Sequence, residues 1–345
     1  MQARPATTPT VKEREPPPGD VDFRPPPWLG SPHLQSIVPS LPLRRRAVER
    51  RCRALLDASV PEVLDCDDGV RLLAHRATQQ RLGRSTAARL VVLLHGWEGS
   101  ADSLYVLSLG QLLLDRGFDV VRLNLRDHGD SHHLNAGIFH SCRIAEVVGA
   151  VRRLQDLDPG MGLNLAGFSL GGNFFLRVGA RAEAAGLRLE RIVAVCPVLD
   201  PEHTLQRLER GWVLYRQYFI WKWRRSLRKK QAAWPQLYDL SEALALDTLT
   251  DMTEHLVCFY GGFPSLTDYL RGYAIVDDAL ASLVHPTRII AAADDPIIPA
   301  ADLVRLARPA SLEITCSARG GHCGFYDGGV GSTWLEREVL ATLGR

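Results

Sequence analysis

The residues with the clearest potential for chemistry form the run Gly167-Phe168-Ser169-Leu170-Gly171. This run joins an apolar, strand-like stretch, LNLAGF, to a helix-like stretch, NFFLRVGAR. A serine between a strand and a helix sits on a tight turn that exposes its hydroxyl, and glycines two residues away on either side leave room for the neighbouring backbone. Ser169 is therefore the candidate nucleophile of a covalent mechanism.

A serine hydroxyl needs a base to remove its proton and a carboxylate to orient that base. Both residue types follow Ser169 along the chain, each after a predicted strand. Asp294 and Asp295 come directly after the apolar run TRIIAAA, and His322 lies in the glycine-lined segment GGHCGF that follows LEITC. Because ligands gather at the carboxyl ends of the strands in open α/β sheets, we expect His322 and one of the two aspartates to face Ser169.

A tetrahedral intermediate on Ser169 would carry negative charge, which two backbone N–H groups can stabilise. The N–H of Leu170, at the start of the predicted helix, is one candidate donor. The other candidate is the N–H of Trp97, because the continuous apolar run LVVLLHG (90–96) has the character of a buried parallel strand that ends just before it. The sequence therefore predicts an oxyanion hole formed by Trp97 and Leu170.

Strand-like and helix-like segments alternate along most of the chain, as expected for a mostly parallel sheet with helices on both faces. A hairpin is predicted around Asp67-Asp68-Gly69. Further strands are predicted at 119–125, 163–168, 191–196, 287–293 and 312–316, and helices at 102–116, 140–157 and the C-terminal end. The interval from about 200 to 285 breaks this alternation. We predict an α/β fold with a helical cap inserted there, between the sixth and seventh core strands.

Several motifs resemble those of the YheT-like branch of the α/β-hydrolase superfamily. They are Ser31-Pro32-His33-Leu34-Gln35, His95-Gly96-Trp97-Glu98-Gly99-Ser100, Asn124-Leu125-Arg126, His140-Ser141, Gly167 to Asn173, an acid–proline turn, and Gly320 to Phe325. The resemblance implies an α/β-hydrolase domain over residues 23–345. It also implies a cofactor-free serine hydrolase of carboxylic esters, acting on short- to medium-chain acyl esters, acylglycerols or other lipid esters.

The resemblance further selects Asp295 over Asp294, because members of this branch usually place the acid four residues before the proline that matches Pro299. Ser169, Asp295 and His322 are then the expected catalytic residues, with no metal ion. The sequence departs from the family pattern at 126–133, where RDHGDSHH stands in place of an RGxxGE run. The shape of this loop therefore does not follow from the resemblance.

The composition is that of an ordinary globular protein, with 46% hydrophobic residues, 23% charged residues and a formal net charge of +2. So small a net charge gives no general attraction to nucleic acid. The seven cysteines are scattered and odd in number, which favours a reducing compartment. We recognise neither a signal-type apolar core nor a run of about 20 apolar residues, so we expect a cytoplasmic protein. The proline-rich residues 1–22 are predicted to be a disordered arm.

Two segments have more than one interpretation. The histidines and aspartates of 127–133 could bind zinc or manganese, but their spacing fits no established site, and we favour a polar loop with solvated histidines. Residues 211–230 combine aromatic residues with a basic tail. We rank a cap helix with its aromatic side on the cleft and its basic side in water first. Peripheral contact with an anionic membrane comes second, and nucleic-acid binding third.

Two other functions stay open. The same triad could transfer an acyl group to an alcohol other than water, and His322 with Asp327 matches the HxxxxD spacing of some acyltransferases. Since His322 is already needed as the base, we interpret that spacing as coincidence. Alternatively, the hydrolase fold could be inactive and serve binding at a membrane surface. The sequence leaves the oligomeric state open.

Overall fold

The computed structural model describes residues 23–329 and 332–345, and within them eight strands form one sheet. The strands are β1 (Ser59–Asp65), β2 (Arg71–Ala77), β3 (Arg89–Leu94), β4 (Asp119–Leu123), β5 (Gly162–Phe168), β6 (Leu189–Val195), β7 (Thr287–Ala292) and β8 (Leu312–Ser317). Their spatial order is β1-β2-β4-β3-β5-β6-β7-β8. The first two pairings are antiparallel, and the other five are parallel. The predicted α/β fold with a mostly parallel sheet is confirmed.

Helices cover both faces of this sheet. They are α1 (Pro32–Ile37), α2 (Pro42–Arg51), α3 (Arg53–Ala58), α4 (Leu104–Asp115), α5 (Ile144–Leu157), α6 (Leu170–Gly179), α7 (Pro201–Arg210), α8 (Val213–Ala233), α9 (Ser241–Ala245), α10 (Leu249–Phe259), α11 (Leu266–Arg271) and α12 (Trp334–Leu343). One face packs against α5, α6 and the helices of the 200–285 interval, and the other against α3, α4 and α12.

The strand β3 illustrates why the central strands are continuous apolar runs in the sequence. Leu90, Val92 and Leu94 belong to the core on one face of the sheet, and Val91 and Leu93 to the core on the other. Successive side chains of a strand point to opposite faces, so a strand covered on both sides needs apolar residues at every position.

Five helices, α7 to α11, lie between β6 and β7, in the interval where the cap is predicted. They join the main core through side chains such as Leu208, Tyr215 and Met252. In the part of the chain that the structure describes, we find no helix with both the length and the apolar character needed to span a bilayer. The predicted disordered arm, 1–22, lies outside the described residues.

The helix α5 begins four residues later than the sequence predicts, at Ile144. The preceding residues form a turn around Ser141, whose carbonyl accepts a hydrogen bond from Arg177 at 2.8 Å and whose N–H donates to the Tyr269 hydroxyl at 3.2 Å. These bonds to α6 and α11 replace the first turn of the predicted helix.

Candidate active site

Ser169 occupies a strained turn between β5 and α6. Its backbone has φ 52° and ψ −118°, a conformation that costs about 1–3 kcal/mol. A Cβ on Gly167 would lie 2.4 Å from the carbonyl oxygen of Gly171, and a Cβ on Gly171 would lie 2.5 Å from the carbonyl oxygens of Leu94 and His95. The turn can therefore pack this tightly against β3 only because both positions are glycine.

Ser169, His322 and Asp295 form one hydrogen-bonded row. The Oγ of Ser169 is 3.0 Å from Nε2 of His322, and Nδ1 of the same ring is 2.8 Å from Oδ2 of Asp295. The three residues follow β5, β8 and β7, so the carboxyl ends of three strands bring them together. With its Nδ1–H donated to the carboxylate, the imidazole keeps Nε2 free to accept the serine proton.

The charge environment of His322 favours its protonated form. Burial alone would lower the pKa of this imidazole, but the carboxylate of Asp295 and the side chain of Cys323 outweigh burial and raise the pKa well above its usual value. The row is therefore suited to stabilise an imidazolium once the ring has accepted a proton.

The two adjacent aspartates have different partners. Asp295 accepts hydrogen bonds at Oδ1 from the N–H groups of Ile297 and Ile298, at 2.8 and 2.9 Å, which leaves Oδ2 for the imidazole. Asp294 instead accepts the N–H of Gly321 at 2.9 Å. Asp294 thus holds the segment that carries His322, whereas Asp295 contacts the ring itself.

The segment after β8 is also held by Gln35 of α1. The buried side-chain amide of Gln35 donates to the carbonyls of Leu29 and Tyr326 at 3.1 and 3.0 Å, and its oxygen accepts the Tyr326 N–H at 2.7 Å. Two motifs about 290 residues apart therefore form one unit. Nothing in either motif predicted this contact.

The same contact places His322 directly. Its backbone N–H donates to Oγ of Ser36 at 2.8 Å. The packing leaves no room for side chains, because a Cβ on Gly321 would lie 2.4 Å from the carbonyl oxygen of Pro32, and one on Gly324 would lie 2.2 Å from that of Gln35. The glycines around His322 are thus required by the close approach of α1.

The turn after β3, which carries Trp97, passes close to Ser169. Gly96 approaches so closely that a Cβ on it would lie 3.1 Å from Cβ of Ser169. The N–H of Gly99 closes the turn on the Gly96 carbonyl at 2.9 Å. Over residues 23–329 and 332–345, the N–H groups of Trp97 and Leu170 have no hydrogen-bond acceptor in the protein. Both are therefore available to an oxyanion.

The side chain of Trp97 connects this turn to α8. Its ring stacks on Phe219, with centroids 5.2 Å apart and planes at 12°, and meets the edge of Trp223 at 5.1 Å. The aromatic side of the 211–230 segment thus packs against a residue of the site.

A buried histidine also holds the turn after β3 in place. His128 donates from Nδ1 to the Arg126 carbonyl at 2.7 Å and accepts the N–H of Glu98 at Nε2, at 3.2 Å. Burial lowers its pKa to about 4, so the ring is neutral at pH 7. His95 is arranged in the same way, and burial lowers its pKa well below the usual value.

The loop 127–133 is solvated only in part, with His133 exposed and other polar residues buried. His132 is buried and its Nε2 lies 3.0 Å from Oγ of Ser226. Asp127 is buried against Lys230, with Nζ 2.9 Å from Oδ1. The described part of this loop contains no group of three side chains placed to hold a metal ion. The prediction of solvated histidines was wrong for His128 and His132, which are buried and hydrogen-bonded inside the protein. The prediction that the basic side of 211–230 lies in water was wrong at Lys230, which is buried against Asp127.

A cavity of about 760 Å³ opens beside Ser169 and His322. Its walls come from α1, the turns after β3 and β4, and the helices between β6 and β7. Most of the lining is apolar, including Ile37, Ile138, Phe139, Leu208, Phe219 and Leu256. A molecule bound against the serine would therefore be surrounded largely by hydrocarbon and aromatic rings.

One acidic side chain, Glu98, also lines this cavity. Burial raises the pKa of its carboxyl to about 8, although the cation of Lys222 partly opposes the rise. Glu98 belongs to the motif His95 to Ser100, from which no role for its carboxyl was predicted. A carboxyl that is largely protonated at pH 7 adds little charge to an apolar cavity.

Asp327 does not join the site. Its carboxylate pairs with Arg337 at 2.8 Å. The HxxxxD spacing therefore does not bring a second acid to the imidazole of His322.

The family model for the alpha/beta hydrolase fold matches residues 89–328, about 70% of the chain. Among curated proteins, YheT of Escherichia coli (strain K12), which is provisionally named an esterase, is 26% identical over 259 residues, covering 72% of this chain and 74% of YheT. The resemblance to the YheT-like branch is thereby confirmed.

Solved structures of similar fold include two esterases. The esterase Pf2001 of Pyrococcus furiosus aligns with a TM-score of 0.54 at 15% identity, over 85% of this chain and 92% of that protein. The carboxylesterase CesB (YbfK) of Bacillus subtilis aligns with a TM-score of 0.51 at 16% identity, over 87% and 97%. At this identity the likeness concerns the fold.

Proposed function

This chain belongs to the alpha/beta hydrolase fold family, and on that premise we propose that it is a serine hydrolase of carboxylic esters, with Ser169, His322 and Asp295 as its catalytic residues. The observation that carries the proposal is the row of hydrogen bonds, 3.0 Å from Ser169 to His322 and 2.8 Å from His322 to Asp295. The sequence relative YheT, provisionally named an esterase, supports the same reaction class.

In the proposed reaction, Oγ of Ser169 attacks the ester carbonyl carbon while Nε2 of His322 takes the hydroxyl proton. Asp295 stabilises the imidazolium that forms. The imidazolium then gives its proton to the leaving alcohol, and an acyl-enzyme is left on Ser169. Water, deprotonated by the same nitrogen, attacks this ester and releases the carboxylic acid.

The N–H groups of Trp97 and Leu170 are the proposed oxyanion donors. Neither N–H has an acceptor among the described residues, and Leu170 is the first residue of α6, where the helix dipole favours negative charge. One such donor is typically worth about 10²–10³ in kcat. The bonds that His95 and His128 make to the backbone around Trp97 would fix its N–H before the substrate arrives.

The volume and lining of the cavity are evidence for an apolar substrate. Its volume of about 760 Å³ is at the upper end of the range for drug-sized ligands. Most of the wall surface is apolar, although polar side chains such as Glu98 and Lys222 also line it. We infer that the substrate is an ester with a substantial apolar acyl or alcohol group, such as a medium-chain acyl ester or an acylglycerol.

The rim of the cavity supports delivery of such esters from a lipid surface. Leu214, Tyr218 and Trp221 line the cavity and are also 53%, 51% and 57% exposed. Arg45 and Arg225 stand exposed beside them. Exposed aromatic rings with cationic neighbours suit the interface of an anionic membrane. We propose that this rim contacts anionic lipid.

Vesicles of phosphatidylglycerol and phosphatidylcholine test the rim. Binding should weaken with added salt and in Trp221→Ala, but not in Trp28→Ala, whose equally exposed ring lies outside the cavity lining. Equal loss in both variants, or no binding by the wild type, would remove the membrane proposal and leave the esterase proposal intact.

A panel of p-nitrophenyl esters of graded chain length tests the proposed function itself. The wild type should prefer chains longer than acetate, and Ser169→Ala should abolish turnover while keeping the wild-type melting temperature. Turnover by Ser169→Ala at the wild-type rate would refute the assignment. Product analysis with added glycerol separates release of free acid from transfer of the acyl group to another alcohol.

A further inference from the structure

Two cysteines lie beside the proposed base and have no part in the proposed reaction. Cys196 directly follows β6, and Cys323 directly follows His322. Both have left-handed backbone conformations, with φ 42° and 56°. The N–H of Cys323 donates to Sγ of Cys196 at 3.4 Å.

The two sulfur atoms and a ring nitrogen of His322 all lie within 4.8 Å of one another. In a tetrahedral zinc site with Zn–S bonds of about 2.3 Å, two sulfur ligands stand about 3.8 Å apart. Enclosing an ion therefore requires the two sulfur atoms to approach by at most about 1 Å. Two thiolates and one imidazole are a ligand set that zinc prefers, and harder cations such as Mg²⁺ do not.

A second group of possible ligands, Asp200, His203 and Asp302, is already satisfied. The guanidinium of Arg305 lies 2.6 Å from Asp200 and 3.4 Å from Asp302. Because this cation already pairs with both carboxylates, a divalent ion would have to displace it. In the described residues, the hydrogen-bond partners of the cysteine–histidine group include no cation. An ion held by the ring of His322 would replace one of its bonds, to Ser169 or to Asp295.

We propose that Cys196, His322 and Cys323 form a binding site for one soft divalent cation, such as Zn²⁺, which inhibits the enzyme. On binding, each thiol loses its proton to solvent and the neutral imidazole gives its lone pair to the ion. Three protein ligands leave the fourth position for water. The ring can then no longer accept the proton of Ser169. The inhibition, but not the binding, rests on the proposed function.

An ion can reach this site from the substrate cavity. His322 and Cys323 both line that cavity, whereas Cys196 is buried behind them with 1% of its surface exposed. A substrate bound at Ser169 would cover the same approach. Inhibition should therefore be weaker at saturating ester than at low ester.

Titration with Cd²⁺ tests the binding without any activity, because cadmium–thiolate bonds absorb in the ultraviolet. The full-length wild type should gain this absorbance with one equivalent of Cd²⁺, and Zn²⁺ should displace it. Cys196→Ser and Cys323→Ser should each lose most of the signal. Cys258→Ser, which removes a thiol in α10, is the matched control and should keep it.

Ester hydrolysis is then measured in the same samples. Zn²⁺ should inhibit the wild type and the control, EDTA should restore activity, and Mg²⁺ should have no effect. The concentration needed for half inhibition should rise at least about tenfold in either site variant. If a serine variant unfolds, the alanine variant at that position replaces it.

Absence of the absorbance in the wild type would overturn the proposal, as would equal zinc sensitivity of all four proteins. A wild type that takes up Cd²⁺ with the thiolate signal but cleaves no ester would instead contradict the proposed function and support the metal site.

Discussion

Replacing Asp295 by asparagine probes the proposed charge arrangement with almost no change of shape. The asparagine oxygen can keep the hydrogen bonds that Oδ1 now accepts from Ile297 and Ile298. The group facing His322 then becomes an NH₂, which only donates. Nδ1 must therefore be the acceptor, and the ring proton moves to Nε2. In that tautomer Nε2 cannot accept the proton of Ser169.

The expected loss is large. In serine hydrolases that use the same arrangement, the corresponding change lowers kcat by about 10⁴-fold, equivalent to about 5.4 kcal/mol in the activation free energy. The neighbouring variant Asp294→Asn is the matched control. Its oxygen can still accept the Gly321 N–H, so kcat should fall by less than about tenfold, the equivalent of one neutral hydrogen bond.

The assay is kcat for one p-nitrophenyl ester, measured with both variants at equal folded concentration. Thermal melts should show that both remain folded. Losses of equal size, or a larger loss in Asp294→Asn, would refute the assignment of Asp295 as the residue that orients the base.

Three further predictions follow from the site and its supports. Ser36→Ala removes the acceptor of the His322 N–H, so kcat should fall about 2- to 13-fold with KM little changed. The control Ser282→Ala, which loses a different serine hydrogen bond, should match the wild type. Equal losses of kcat in the two variants would contradict the role of Ser36. Gly171→Ala should unfold the protein or lower its melting temperature sharply, whereas Gly160→Ala, where a Cβ meets open space, should not; a normal melt for Gly171→Ala would contradict the packing. Burial alone would lower the pKa of His322, but the neighbouring carboxylate and the side chain of Cys323 raise it well above 6.5. Since only the neutral ring acts as a base, kcat/KM should rise with pH through a midpoint above 6.5. A pH profile that is already flat at about pH 6 would contradict this.

The sequence predicted those parts of the site that depend on chain topology. Parallel strands bring their carboxyl ends to one edge of a sheet, so residues after β5, β7 and β8 had to meet once the strands were recognised. The glycines around Ser169 are explained by the same geometry, since strand, turn and helix can pack closely only without side chains there. The predicted residues Ser169, Asp295 and His322 do lie together.

Contacts between distant loops could not be predicted in this way. Gln35 and Ser36 hold the segment of His322 across almost 290 residues, and no periodicity signals such a contact. Asp294 and Asp295 are neighbours of one type, so residue pattern alone left both open, and only the resemblance favoured Asp295.

The sequence also did not predict which polar side chains are buried. His128 and Lys230 were expected in water because histidine and lysine usually are. Each is instead buried with its hydrogen bonds satisfied, His128 by the backbone of Arg126 and Glu98, and Lys230 by Asp127. Whether a polar side chain has such partners depends on tertiary structure, and local sequence does not contain that information.

Labelling with a fluorophosphonate probe tests the central claim most directly, because the probe reacts with a serine only when a neighbouring base and oxyanion donors activate it. The account predicts one modified residue, Ser169, identified by peptide mass spectrometry, with labelling abolished in His322→Ala and slowed while saturating ester is present. A folded wild type that takes up no probe, or a label on another serine that survives Ser169→Ala, would contradict it.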